Sequence, residues 1–205
     1  MPDKIKCVPR GFMMNALELR RQALHFLYGP LLVALYHWHL LTLPILFGMI
    51  VGGALMSMMI KRKRLSPIRW ALSFFEREHH MEQFPGRGIL FFTIGAFLVL
   101  AMFPEPIAYA GILILSAGDA ATNVVGRHFG RIRTRINPNK YIEGTLVGIL
   151  VSIPIAYCFV PNLFAAFSAA CIAMFLEMPN IRLFNFEIDD NLLVPLAASL
   201  TLSLF

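Results

Sequence analysis

The sequence predicts an all-α, polytopic membrane helix bundle of about seven transmembrane helices plus one in-plane amphipathic helix, in a single domain over 1–205. Three observations carry this expectation. Hydrophobic residues make up 58% of the 205 positions and mean hydropathy is +0.67, far from an ordinary soluble domain. Apolar stretches close to the ~20 residues that a helix needs to cross a bilayer recur along the chain. The cations are distributed so that, with alternating loops, all 18 Lys and Arg fall on one side.

The seven stretches lie at about 22–39, 40–60, 88–104, 107–126, 144–160, 162–178 and 191–205. The first contains Pro30, which a transmembrane helix tolerates when neighbouring groups satisfy the carbonyl it frees. The last is short. Between the second and third stretches, 65–83 reads as amphipathic, with Ile68, Leu72 and Phe75 on one stripe and polar groups at its end, as expected of a helix lying in the membrane plane.

The cations sit in the N-terminal segment, the KRKR run at 61–64, the stretch to Arg87, the 127–140 loop and Arg182. The loops at 36–39, 103–106 and 159–162 hold none, so the positive-inside rule places the N-terminus in the cytoplasm and the C-terminus outside. The membrane would be the plasma membrane in a prokaryote and the endoplasmic reticulum in a eukaryote. All of the twelve acids except Glu105 share the charged side or the helix ends facing it. The chemistry is therefore expected at the inner face.

The net charge of +6 follows from this asymmetry and needs no nucleic-acid partner, because anionic headgroups and nucleotides account for a basic inner face. Cys7, Cys158 and Cys171 lack CxxC spacing and read as small core residues. The first 15 residues lack the apolar core of a signal peptide, and no fixed-period repeat is present.

Four polar clusters gather at the inner side. Glu18, Arg21, Gln22 and His25 follow the i, i+3, i+4, i+7 pattern of one helical face, which Gly29 continues. Alone they would make an interfacial anchor. The FPGRG turn at 84–88 can bring backbone N–H groups and the Arg87 guanidinium to a phosphate, or simply open a helix. The upstream pair His79–His80 diverges by ~100° on a helix and lacks the spacing of a metal motif.

The third cluster is the most informative. Asp119 stands inside a membrane-length apolar helix, where a charge costs at least ~2.5 kcal/mol, so it should face a protein interior, a wet cavity or a cation. Asn123, Gly126 and Gly130 continue its face. Carboxylate and amide oxygens suit Mg²⁺, and the cations that follow can hold phosphates. Lys140 and Glu143 flank the next helix start, where Gly144 and Thr145 would expose N–H groups at a positive dipole end. The small residues also fit plain helix packing. In the fourth cluster, Glu177 ends the sixth stretch and Asp189, Asp190 and Asn191 precede the last, as helix caps or as part of a metal site.

Taken together these residues resemble the CTP-dependent lipid-alcohol kinases, a family that includes dolichol kinase, phytol kinase and fungal-type diacylglycerol kinase and is related to phosphatidate cytidylyltransferases. The family pattern of Glu, Arg-Lys, His and Gly is matched by Glu18, Arg21, His25 and Gly29, with Gln22 in place of the Lys. Its Pro-Gly-basic-Gly element is matched by Pro85 to Gly88. Its Asp-x-x-Ala helix running into Gly-x-x-x-Gly is matched by Asp119, Gly126 and Gly130, with Thr122 replacing the Ala. Its Lys-Ser-x-Glu-Gly-Thr run is matched by Lys140, Glu143, Gly144 and Thr145, with Tyr141 where a small hydroxyl is usual. Glu177, Asp190 and Asn191 match its final acid and Asp-Asn.

The resemblance implies transfer of the CTP γ-phosphoryl group to the hydroxyl of a membrane lipid alcohol, of polyprenol or dolichol type, another isoprenoid alcohol, or diacylglycerol, with Mg²⁺. The residues alone do not choose CTP over ATP. Asp119, with Asn123 and Asp190, is assigned to the metal. Arg21, Arg87, Arg127, Arg131 and Lys140, with Gly126, Gly130, Gly144 and Thr145, are assigned to nucleotide and phosphate. Glu143, Glu18 and His25 are the candidates for handling the hydroxyl proton. Two alternatives stand beside this reading. A CTP:phosphatidate cytidylyltransferase shares the helix and basic loop, but its HGGxxDRxD signature is absent. An ion-coupled transporter would use Asp119 as an ion site, though the internal repeats common in transporters are missing.

Overall fold

The computed structural model describes residues 16–62, 66–76, 78–179, 182–183 and 186–205. Cys7, the basic residues at 63–64, and the side chains of His79, His80 and Arg182 lie outside this description. Each of the seven expected stretches is helical. They are α1 (Ala16–His37), α2 (Leu43–Lys61), α5 (Arg87–Met102), the pair α6 (Glu105–Leu113) and α7 (Asp119–Phe129), α8 (Ile142–Phe159), α9 (Leu163–Leu176) and α10 (Asp190–Leu202). Three segments, Leu43–Lys61, Glu105–Phe129 and Ile142–Phe159, are long and apolar enough to cross a membrane. Arg87–Met102, Leu163–Leu176 and Asp190–Leu202 are apolar but shorter. Helix α1 has the length, but its polar first turns dilute its hydropathy.

The in-plane stretch is two short helices, α3 (Ser66–Ser73) and α4 (Glu78–Gln83), rather than one. The break falls beside Glu76, whose carboxylate leaves the helical path to accept a hydrogen bond from Gly86 N at 2.6 Å. The only strands among the described residues are β1 (Arg182–Leu183) and β2 (Phe186–Glu187), paired antiparallel just before α10.

The α6–α7 rod is the axis of the bundle and most of it is buried. It contacts α1, α8 and α10, while α9 closes the far side against α8 and α10. Close approach there comes from small side chains: Ala165, Ala166, Ala169, Ala170 and Ala173 of α9 are fully buried. Helix α2 touches mainly α5 and leaves Ile45, Phe47, Val51, Leu55 and Met58 exposed, as suits a lipid-facing helix.

The rod is not uniformly α-helical. A single π turn, Ile114–Gly118, precedes Asp119, and such turns recur at functional positions. It serves α1 as well. Pro30 cannot donate to the carbonyl four residues before it, and Ser116 Oγ, from the π turn, donates to that Phe26 carbonyl at 2.8 Å and to the His25 carbonyl at 3.0 Å. A side chain on Gly29 would collide with Ser116, so the glycine lets the two helices meet.

Candidate active site

One cleft of about 310 Å³ opens at the end of the bundle where the charged residues collect. Its walls come from α1, α5, α7, the 137–140 loop and the segment entering α10. Its lining is mixed, with many charged groups and an apolar set of Leu24, Tyr28, Ile89 and Phe92 with Leu72 and Phe75 of the 65–83 region.

Asp119 is at the centre and only 8% exposed. The Asn123 side-chain amide, one turn on, donates to its carbonyl at 2.9 Å and to Oδ1 at 2.7 Å, which fixes the carboxylate. Lys140 Nζ lies 3.7 Å from Oδ1, and His25 Nε2 lies 3.6 Å from Oδ2. His25, Asp119, Asn123, Lys140 and Asp190 line the cleft together, as do Arg21, Arg87 and Arg127.

Lys140 also pairs with Glu177, at the end of α9. Burial alone would lower the affinity of this ammonium for its proton, but Glu177 first, then Asp119 and Asp190, hold its pKa above the ordinary value. It stays charged in a dry place. Glu177 is buried, and its Oε2 has no hydrogen-bond partner among the described residues. The same holds for His25 Nε2, whose ring meets Phe92 edge-on with centroids 4.8 Å apart. These two buried polar atoms belong to residues that line the cleft and are still able to bond.

The other arginines are positioned by acids. Glu18, fully inside the bundle, accepts from Arg21 at 2.5 Å and lies 3.5 Å from Arg127, so one carboxylate aims two guanidinium groups. Arg87 Nε donates to Asp189 Oδ2 at 2.9 Å, and Asp189 also caps α10 by accepting from Asn191 N. Burial, then the neighbouring Asp190 charge, pushes the Asp189 carboxyl up to about 6 against the pull of Arg87. Glu76 is likewise raised by burial, although N–H groups of Gly86, Arg87 and Gly88 favour its charged form. Gly86 makes this turn with φ of 80°, which a residue with a Cβ adopts only under strain.

Several residues singled out in the sequence fall outside the cleft. Glu143 accepts from the backbone N–H groups of Arg131 at 2.9 Å and Ile132 at 3.0 Å, tying down the loop that carries Lys140. Arg131 is exposed on that loop. Gly144 packs directly on Thr122 and Gly126, and Gly130 on Tyr141, so these glycines let α7 and α8 cross closely. Thr145 is buried, with its hydroxyl on the Tyr141 carbonyl. Glu18 does not line the cleft and meets it through Arg21 and Arg127. Sequence reasoning placed Glu177 in a polar cluster and in the family pattern but did not pair it with Lys140, although a carboxylate straight after a largely apolar helix carries the same signal as Asp119.

The CTP-dependent diacylglycerol kinase 1 of Schizosaccharomyces pombe is 30% identical over 133 residues, which cover 57% of this chain and 59% of that protein. Probable phytol kinase 2, chloroplastic, of Oryza sativa is 33% identical over 110 residues, covering 49% of this chain and 36% of the relative. Farnesol kinase, chloroplastic, of Arabidopsis thaliana is 32% identical over 106 residues, covering 47% and 34%. These relatives support the CTP-dependent lipid kinase family for this chain. The chain spans about a third to three fifths of their lengths. No family model matches it, and no solved structure is a significant match.

Proposed function

We propose that the protein transfers the γ-phosphoryl group of CTP to the hydroxyl of a membrane lipid alcohol at the inner face of a seven-span bundle. The observation that carries the reading is that one cleft is lined both by charged groups around Asp119 and Lys140 and by apolar side chains of α1 and α5. A lipid alcohol needs both. Its tail lies along Leu24, Tyr28, Ile89 and Phe92, and its hydroxyl reaches the charged groups. The acceptors named in the relatives, diacylglycerol, phytol and farnesol, share this chemistry.

Phosphoryl transfer through a loose transition state depends on positioning and charge neutralisation. Lys140, with Arg87, Arg21 and Arg127, meets the phosphate oxygens. Lys140 is held rigid by Glu177 and Asp119, so little reorganisation is needed as charge develops. His25 Nε2 is buried without a hydrogen-bond partner among the described residues, on a ring that packs against Phe92 of the apolar lining. It takes the hydroxyl proton as the lipid oxygen bonds to the γ-phosphorus and the bond to the β–γ bridging oxygen breaks, releasing CDP. Asp119 then stabilises the imidazolium at 3.6 Å.

Among the described residues no three His, Cys, Asp or Glu side chains form a closed metal cage. Mg²⁺ does not require one, because it takes one or two carboxylates, waters and substrate phosphates. Asp119 and Asp190, hard oxygen donors lining the same cleft, would hold it, with the Asn123 side chain orienting Asp119. Bound there it supplies neutralisation of the nucleotide's phosphate charge.

The test is to incubate purified protein with γ-labelled CTP, Mg²⁺ and diacylglycerol, phytol, farnesol and a polyprenol in turn. Label in a lipid phosphate is the expected result. A CDP-lipid with released pyrophosphate would instead mean a cytidylyltransferase, and label in no lipid would refute the reading.

A further inference from the structure

The 131–141 loop is an ordered hairpin whose outer face is unused by the cleft. Arg133 and Tyr141 form an antiparallel bridge, Ile142 N donates to the Ile132 carbonyl at 3.0 Å and Thr134 N to the Lys140 carbonyl at 2.9 Å. Thr134 and Asn137 are buried beneath it, joined by hydrogen bonds of 2.7 and 3.1 Å, while Glu143 holds its first amides. The backbone is therefore pinned on its inner side. The exposed side chains of the hairpin include those of Arg131, Arg133 and Arg135 together with Ile132 and Ile136, which are 58% and 69% exposed. Phe129, where the hairpin leaves α7, is 71% exposed. Among the described residues none of the three arginines forms a salt bridge.

A cation excess on an inner loop serves topology without any order or any exposed isoleucine. Large apolar side chains alternating with arginines on a rigid hairpin, at the level where two apolar helices end, have a more specific chemistry. The apolar groups enter the boundary between headgroups and acyl chains, and the guanidinium forks pair with phosphate and carboxylate oxygens just above it. We propose that this hairpin is a docking surface for the headgroups of anionic glycerophospholipids in the membrane that surrounds the protein. Charge complementarity selects anionic over zwitterionic lipid, because both carry a phosphodiester but only the former is left with net negative charge.

The experiment uses the full chain in detergent, titrated with phosphatidylserine or phosphatidylcholine, with retained lipid counted by native mass spectrometry. Wild-type protein should retain phosphatidylserine in preference, and the preference should weaken as salt is raised. Each cation near an anionic surface contributes on the order of fivefold, so Arg133→Gln with Arg135→Gln should reduce the preference by roughly tenfold or more. Arg133→Lys with Arg135→Lys keeps the charge and should retain most of it. Ile132→Ser with Ile136→Ser should lower retention of both lipids. Equal retention of the two lipids by wild-type protein, or a salt-insensitive preference, overturns the proposal. So does an unchanged preference in the glutamine variant, or a glutamine variant whose single defect is a raised KM for CTP, which would make the hairpin part of the nucleotide site. None of the lipid counts depends on phosphoryl transfer, so they stand apart from the outcome of the kinase assay.

Discussion

Ser116 donates its hydroxyl to the Phe26 carbonyl that Pro30 leaves without a helical partner. The bond crosses from the π turn before Asp119 to the helix that carries His25, so one hydroxyl ties together the two elements that position the site. Ser116→Ala strands that carbonyl in an apolar interior, a cost of about 1–3 kcal/mol. The expected outcome is a lower melting temperature in detergent. An unchanged melting curve would mean that another group reaches Phe26.

Lys140 is the cation that both Glu177 and Asp119 require. Lys140→Ala should lower kcat/KM for phosphoryl transfer by on the order of 2–4 kcal/mol, because an amine preset on developing phosphate charge acts mainly in the transition state. Lys140→Arg keeps the charge but cannot place a compact ammonium between two carboxylates, so it should rescue little. Wild-type kinetics in the alanine variant would leave Lys140 a structural cation.

Glu18 makes a different prediction, since it touches arginines rather than the cleft. Glu18→Gln should raise the apparent KM for CTP, because two guanidinium groups lose the carboxylate that aims them. kcat should fall less. A kcat defect with unchanged KM would move Glu18 into the chemistry itself.

The helical faces and the Asp119 carboxylate were legible in the sequence because they are local. The 3.6-residue period puts Glu18, Arg21, Gln22 and His25 together and Asn123 over Asp119, and hydropathy alone isolates Asp119. The need for a partner at Pro30 was legible too, but not that Ser116 supplies it. Pairings such as Lys140 with Glu177, or Arg87 with Asp189 across 102 residues, carry no periodic signal. For the same reason, Gly126 and Gly144 read as well for a phosphate groove as for the helix crossing in which they meet. The apolar helices were legible as hydropathy, whereas lengths of 16, 14 and 13 residues in α5, α9 and α10 are set by where caps and turns fall.

Asp189 should make stability depend on pH. Its carboxyl is raised from an ordinary 3.8 to about 6 in the fold, so between those values the folded protein binds the proton more tightly than the unfolded chain does. The protonated form is the stabilising one. Its contribution is complete at the low end of this window and is lost as pH rises through about 6. Asp189→Asn should flatten that part of the melting temperature profile. A variant profile parallel to that of the wild type from pH 4 to about 6.5 would assign the slope to another group.

Asp119 decides whether the cleft is catalytic or merely polar. Asp119→Asn preserves shape and the hydrogen bond to Asn123 while removing the charge that faces His25 and Lys140. If the carboxylate holds Mg²⁺ and steadies the His25 imidazolium, phosphoryl transfer should fall by orders of magnitude, because both are transition-state interactions. Stability should be little affected. Lys140 keeps Glu177 as a partner, and a buried charge has been removed from an apolar interior. A structural ion pair predicts the opposite, a clear loss of melting temperature with modest loss of turnover per folded molecule. Measuring unfolding and lipid phosphorylation on the same preparation separates the two, and a stable variant with near wild-type turnover would remove Asp119 from the mechanism.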